Sequence, residues 1–203
     1  MKKHIPNILT ISRIALTILL FALLIGIDAS RGSLYFWAFV FFAVISATDF
    51  LDGFLARRWK VESRFGRVAD PFADKIFITG CFIIFAFQQI PVMENLPAGA
   101  ADALRWSLAL IILLRESAVT IVRQIAEKKG FDFSASKFGK IKMFSQCILG
   151  AYVLLHSAIF TGSMLSDGLL AAGIIFTAAA TAGSGIEAAL RLYKAYINQN
   201  TPA

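Results

Sequence analysis

Charge is scarce in this chain. Only 16% of its 203 residues are Asp, Glu, Lys or Arg, against 58% hydrophobic residues. That composition excludes an ordinary soluble domain, in which about a quarter of the residues are charged. Cysteine is nearly absent too. Cys81 and Cys147 each lie inside an apolar stretch, where a thiol behaves as a small hydrophobe, so neither a disulfide framework nor a thiolate metal centre is available. The two histidines, His4 at an interface and His156 near an outer helix end, are too far apart in sequence to suggest an imidazole cluster. No internal repeat or low-complexity tract occurs. The first apolar run follows Lys2 and Lys3, yet Arg13 interrupts it and no small-residue cleavage site comes after it. It reads as a retained helix rather than a signal peptide.

What the chain does have is long apolar runs. Six can be traced, at roughly 7–27, 34–56, 69–89, 104–123, 141–161 and 169–190. Most reach the ~20 residues a helix needs to cross a hydrocarbon core. The expectation is an all-α integral membrane protein with six transmembrane helices, residues 1–203 forming a single catalytic domain. Basic residues are distributed unevenly. With the N-terminus inside, fifteen lysines and arginines fall in cytoplasmic pieces, while only Arg31 and Arg105 fall in outer ones. The positive-inside rule then puts both termini in the cytoplasm. The net charge of +7 suits an anionic leaflet or a phosphate-bearing substrate and does not call for nucleic acid.

Between the runs, Pro6-Asn7 reads as a helix start, and the segment from Asp28 to Gly32 as a tight outer turn. Residues 57–68 form a charged cytoplasmic loop, and 127–140 the longest cytoplasmic connection. Pro91, Pro97 and Gly99 predict an irregular outer connection over 90–103. Ser166 or Asp167 is placed to cap the sixth helix. Gly173, Gly183 and Gly185 there suit close helix packing. Trp37, Trp59 and Trp106 sit near helix ends, where aromatic belts form.

Four aspartates stand out against this background. Asp49, Asp52, Gly53 and Ala56 are spaced i, i+3, i+4, i+7, within an arc of roughly 100° on one helix face. Gly66, Asp70 and Asp74 follow at i, i+4, i+8 on the next helix. A short loop between them predicts antiparallel neighbours whose acids converge at the cytoplasmic side. One carboxylate inside a membrane helix costs about 2.5–3.5 kcal/mol on insertion scales, so four together need compensation, and divalent metal supplies it economically. Oxygen-only ligands select Mg²⁺ or Mn²⁺ over zinc, and four carboxylates suit a two-ion site for phosphoryl chemistry. Gly53, Ala56 and Gly66 leave a slot for a base or phosphate, with Arg57 at its rim to meet phosphate oxygens. Two other readings stay open: Asp70, just before Pro71, as a charge favouring a helix start, and the acids as parts of a cation pore or proton relay.

The string Asp49-x2-Asp52-Gly53-x2-Ala56-Arg57-x8-Gly66-x3-Asp70-x3-Asp74 resembles, position for position, the signature of the CDP-alcohol phosphotransferases. The resemblance implies a six-helix membrane enzyme that moves a substituted phosphate from a CDP-alcohol to a second alcohol and releases CMP. It implies that Asp49, Asp52, Asp70 and Asp74 hold two divalent cations, Mg²⁺ or Mn²⁺, and that Asp74 is general base or metal ligand only. It further implies that Asn7, Asp52, Gly53, Ala56, Arg57 and Gly66 bind the CDP-alcohol, and that the enzyme is a homodimer of the inner membrane with its active site facing the cytoplasm.

From Ile5 to about Gln146 the chain is similar to the bacterial phosphatidylglycerophosphate synthases of that family. The similarity is carried by Ile5-Pro6-Asn7-Ile8-Leu9-Thr10-x2-Arg13, by Arg115-Glu116 with Arg123, and by Gly139-Lys140-Ile141-Lys142 with Gln146. It implies CDP-diacylglycerol and sn-glycerol 3-phosphate as substrates, with phosphatidylglycerol or inositol phosphate as alternative acceptors. The acceptor's phosphate would be met by Arg115, Arg123, Lys137, Lys140 and Lys142. The three lysines are equally readable as residues facing lipid headgroups, and Arg123 as a snorkelling side chain. Glu116 points to another part of the helix surface. Arg13, mid-span, is open between the donor's phosphates and pairing with an acid, and Lys75 reads as a charge partner of the carboxylate cluster.

Overall fold

The computed structural model describes the backbone of residues 5–27, 32–59, 64–128 and 136–200, and the side chains of 11–27, 32–49, 72–126, 136, 138–194, 196 and 197. Six helices account for nearly all of it: α1 Ile5–Gly26, α2 Gly32–Trp59, α3 Arg64–Phe87, α4 Ala98–Lys128, α5 Lys137–Leu155 and α6 Met164–Asn200. A π turn, His156–Phe160, extends α5. Strands are absent among the described residues.

In α2, α3, α4, α5 and α6, though not in α1, polar residues continue the helix beyond its apolar run. α3 begins at Arg64, so Asp70 is its seventh residue and the helix continues through Pro71. The helix-start reading of Asp70 therefore fails. α4 begins at Ala98, inside the connection expected to be irregular over 90–103, because the Pro97 carbonyl accepts from the N–H groups of Ala100 and Ala101. Ser163 caps α6: its Oγ accepts from the Ser166 N–H at 3.4 Å and its carbonyl from Asp167 at 2.9 Å. Asp167, expected as a possible cap, is turned to other partners. At α5, Ser136 Oγ accepts from the Gly139 N–H at 3.0 Å.

Neighbouring helices close a ring in the order α1, α2, α5, α6, α4, α3, with α3 also touching α5. Phe42 and Phe77, 4.9 Å apart between ring centroids, join α2 directly to α3. All six helices feed the core, through Leu20, Phe42, Phe82, Ile112, Leu154 and Leu170 among others. Phe21 lies across Gly80 and Phe42 across Gly150 so closely that a Cβ at either glycine would collide with the ring. Of the three glycines expected to allow packing on α6, Gly173 lies against Leu149 and Gly185 against Arg115, while Gly183 faces open space.

The outer faces are apolar as well: Ile18, Phe72, Leu114, Phe144 and Phe176 are all exposed. Helices apolar all round suit lipid rather than water. By length and composition, three described stretches can cross a membrane, Gly32–Asp49, Phe138–Phe160 and Met164–Lys194, and Ile11–Gly26 is a shorter apolar helix. In α3 and α4, Asp74, Lys75, Arg115, Glu116 and Arg123 interrupt the apolar surface. Those residues build the site.

Candidate active site

α1 packs on both α2 and α3, which brings Arg13 against the two acid-bearing helices. Its Nη1 donates to Asp49 Oδ1 at 2.5 Å and to Asp74 Oδ1 at 2.7 Å. Arg13 is 1% exposed, while the carboxylates of Asp49 and Asp74 are 19% and 33% exposed. Thr17 Oγ1 donates to the Arg13 carbonyl at 2.8 Å, as a hydroxyl one turn along a helix can. A buried guanidinium is tolerated only when paired, and here two carboxylates share it. Of the two readings left open for Arg13, the structure realises the pairing with acid, and among the described residues with two acids at once.

Two cavities adjoin this triad. A small one of about 60 Å³ is lined by Ser46, Asp49, Asp74, Phe77, Gln146 and Cys147 among others. A larger one of about 260 Å³ extends toward α4, α5 and α6. Asp74, Lys75, Glu116, Lys142 and Met143 line both and form their common wall. Around the larger cavity stand six basic residues, Lys75, Arg115, Arg123, Lys140, Lys142 and Arg191, against the carboxylates of Asp74 and Glu116. That balance favours an anionic ligand.

Each cation is held differently. Arg115 Nε donates to Ser184 Oγ on α6 at 3.0 Å and its Nη1 to Glu116 Oε1 at 3.1 Å. Lys142, 8% exposed, forms a close ion pair with Glu116, so it does not face lipid headgroups. Among the described residues, Lys75 makes no direct ion pair with Asp49 or Asp74, although it lines both cavities beside Asp74. Its Nζ donates to Thr120 Oγ1 on α4 at 2.6 Å. Arg123 is half-buried and lines the cavity, which a purely snorkelling side chain would not do. Lys140 is exposed at the cavity's edge. Glu116, expected to face elsewhere, turns back to Arg115 because the Lys142 ammonium stands on the same side.

The side chains of Asn7, Asp52, Gly53, Ala56, Arg57, Gly66, Asp70 and Lys137 lie outside the described residues. Their backbone is helical throughout, which keeps the spacing on which the four-carboxylate site depends. Among the described residues no three of His, Cys, Asp and Glu converge, since only Asp49 and Asp74 represent the motif there. Those two fit a hard divalent cation: both are oxygen donors, both are partly open to a cavity, and they come from opposite helices to within reach of one nitrogen. Sequence reading missed Ser184, Thr120, Ser136 and Arg191. Short hydroxyl side chains and a basic residue near a helix end carry no local signal of a site.

The profile of the CDP-alcohol phosphatidyltransferase family matches residues 3–181. The chain belongs to this family. Among its relatives, a CDP-diacylglycerol–glycerol-3-phosphate 3-phosphatidyltransferase of Bacillus subtilis is 30% identical over 167 residues, covering 77% of this chain and 79% of the relative. A protein of the same name from Rickettsia felis is 32% identical over 158 residues, covering 76% and 77%. A probable phosphatidylglycerophosphate synthase of Mycobacterium tuberculosis is 32% identical over 153 residues, covering 74% and 66%. The CDP-alcohol phosphatidyltransferase match covers all six helices in whole or part.

Proposed function

We propose that this CDP-alcohol phosphatidyltransferase moves the phosphatidyl group of CDP-diacylglycerol to sn-glycerol 3-phosphate, giving phosphatidylglycerophosphate and CMP. The observation that carries the reading is the place of Asp74 in the wall shared by the two cavities. A group there reaches both a donor near Asp49 and an anionic acceptor among the basic residues. The names of the relatives supply the acceptor.

In the reaction, a hydroxyl oxygen of the acceptor bonds to the β-phosphorus of the liponucleotide, and the bond from that phosphorus to the bridging oxygen breaks. CMP leaves with the bridging oxygen. Asp74 accepts the hydroxyl proton or, in the alternative role, serves as metal ligand only. Arg13 ties Asp49 and Asp74 to one nitrogen and so fixes their place beside the cavities. Asp49, Asp52, Asp70 and Asp74 would hold two divalent cations, Mg²⁺ or Mn²⁺, whose chemistry there is to withdraw charge from phosphoryl oxygens. Asn7, Asp52, Gly53, Ala56, Arg57 and Gly66 take the CDP moiety. Arg115, Arg123, Lys140 and Lys142, with Lys137 at the start of α5, take the phosphate of the acceptor.

The same reading includes one domain over residues 1–203, six membrane spans with both termini cytoplasmic, a homodimer, and an inner-membrane location with the site facing the cytoplasm. The orientation is supported by the bias of lysine and arginine toward one set of connections, and the homodimer rests on the family resemblance alone. The test is CMP release by the purified protein with CDP-diacylglycerol, Mg²⁺ and a panel of acceptors: glycerol 3-phosphate, phosphatidylglycerol and inositol phosphate. Glycerol 3-phosphate should support turnover. Turnover with another acceptor and none with glycerol 3-phosphate would overturn the assignment.

A further inference from the structure

The larger cavity contains a group that its proposed ligand does not call for. A pocket for a phosphate dianion needs cations, yet Glu116 places a carboxylate in its wall, 11% exposed. As plain charge it repels the acceptor. Its contacts give it another role. One oxygen, Oε1, accepts both from Arg115 Nη1 on α4 and from the Lys142 ammonium on α5. The peptide carbonyl of Glu116 accepts from Thr120 Oγ1 at 2.5 Å, and Thr120 in turn accepts from Lys75. On the far side of Arg115, Ser184 Oγ accepts from Nε and donates to the Thr181 carbonyl at 2.8 Å. Arg115 is thus gripped from two sides. Its Nη2 is directed toward Gly139, where an added Cβ would stand 4.0 Å away.

Two long cationic side chains on different helices repel one another and carry about 2 kcal/mol of rotamer entropy each. Left alone they would not stay side by side. We infer that Glu116 is a positioning residue: it gathers Arg115 and Lys142 on one carboxylate oxygen so that a single phosphate group of the acceptor can span both. The inference rests on the group-transfer reading above and assigns the residue that orders its phosphate subsite.

The sign of one effect separates positioning from bulk electrostatics. Removing a negative charge from an anion site should tighten binding if charge alone matters. If Glu116 positions the cations, Glu116→Gln weakens binding, because the neutral amide does not hold both of them. Steady-state CMP release by the full-length protein should show KM for glycerol 3-phosphate raised about tenfold in Glu116→Gln, the loss expected for one charge-assisted hydrogen bond. KM for CDP-diacylglycerol should stay within about twofold, since the variant leaves Asp49 and Asp74 untouched. Glu116→Asp should recover part of the loss, and Ser184→Ala should move the same KM upward by a smaller factor. Inorganic phosphate should raise the melting temperature of wild type more than that of Glu116→Gln.

An unchanged or lowered KM for glycerol 3-phosphate, or equal rises in both KM values, overturns the inference. If Glu116→Gln does not fold, the KM split and phosphate response of Ser184→Ala decide. If glycerol 3-phosphate fails as acceptor and another phosphorylated alcohol works, the proposed acceptor is wrong and the same KM split with that alcohol still tests Glu116. If no acceptor turns over, the phosphate-induced melting shifts decide.

Discussion

The two ends of the bundle pair acids with basic groups to opposite effect. At one end Arg13 bridges Asp49 and Asp74, and the carboxylates stay partly open to cavities. At the other, His156 Nε2 meets Asp167 Oδ1 at 2.9 Å, with the two residues 0% and 1% exposed. Asn95 closes that network by donating from its backbone N–H at 3.0 Å and from Nδ2 at 2.9 Å to Asp167 Oδ2. Tyr152 and Ser166 share a hydrogen bond beside it. A cavity at that end, lined by Pro91 and Arg105, measures about 10 Å³, room for no more than one water. The far end ties the α3–α4 connection to α5 and α6. The lesson is that an acid–base pair sealed from its surroundings fastens helices together, whereas the same pairing beside an open space is available to a ligand.

Substitutions at the two ends should separate along that line. The largest effect is expected at the aspartates. Asp74→Asn or Asp70→Asn should lower CMP release by about a thousandfold or more, the scale on which charge stabilisation at phosphoryl oxygens operates, while the protein still inserts and elutes as a folded species. Near-normal turnover in Asp70→Asn would remove the two-ion proposal. The matching change at the far end, Asp167→Asn, should leave kcat and both KM values within about twofold and lower the melting temperature instead.

Next in size is Arg13→Met. It leaves two half-buried carboxylates without their shared cation, and the expected loss is about 2–4 kcal/mol of stability, less than for a fully sealed pair because Asp74 is one-third exposed. Mg²⁺ should recover more melting temperature in this variant than in wild type. Equal responses to Mg²⁺ would mean that Arg13 does not offset the charge that the ions meet. His156→Ala should cost about 2 kcal/mol through the buried acceptor it abandons on Asp167, with acceptor kinetics unchanged. A raised KM for either substrate would break the division between a structural end and a reactive one. The smallest effect belongs to Ser136→Ala, which removes the cap of α5 at a cost of about 1 kcal/mol. Because α5 carries Lys140 and Lys142 into the cavity, KM for the acceptor should rise slightly with it.

Much of the fold was legible because helix formation and membrane affinity are local properties. The six apolar runs each fall mostly within one of the six helices. The boundaries were less legible. Pro97, Ser136 and Ser163 set helix starts through two hydrogen bonds each, and apolar content says nothing about those. At the site, the spacing of the aspartates announced itself, and the basic residues at 115, 123, 140 and 142 do surround one cavity. The partners of those residues were not announced. Nothing near Lys75 in sequence points to Thr120, 45 residues away, or from Arg115 to Ser184, 69 residues away. Sequence adjacency even misled at Glu116. One residue from Arg115, it lies about 100° round the helix by backbone geometry, and only side-chain reach toward Lys142 brings it back.

The sequence by itself determined that the chain forms apolar helices, that acids recur on one face of two of them, and that the chain is a CDP-alcohol phosphatidyltransferase. Period and spacing are written along a single helix and need no partner to be read. The tertiary structure decided which charges meet. The ring order of the helices puts α1 against both acid-bearing helices and α4 beside α6, so Arg13 reaches Asp49 and Asp74 while Arg115 reaches Ser184. Such pairings depend on how six packed surfaces fit together, and no local pattern encodes that.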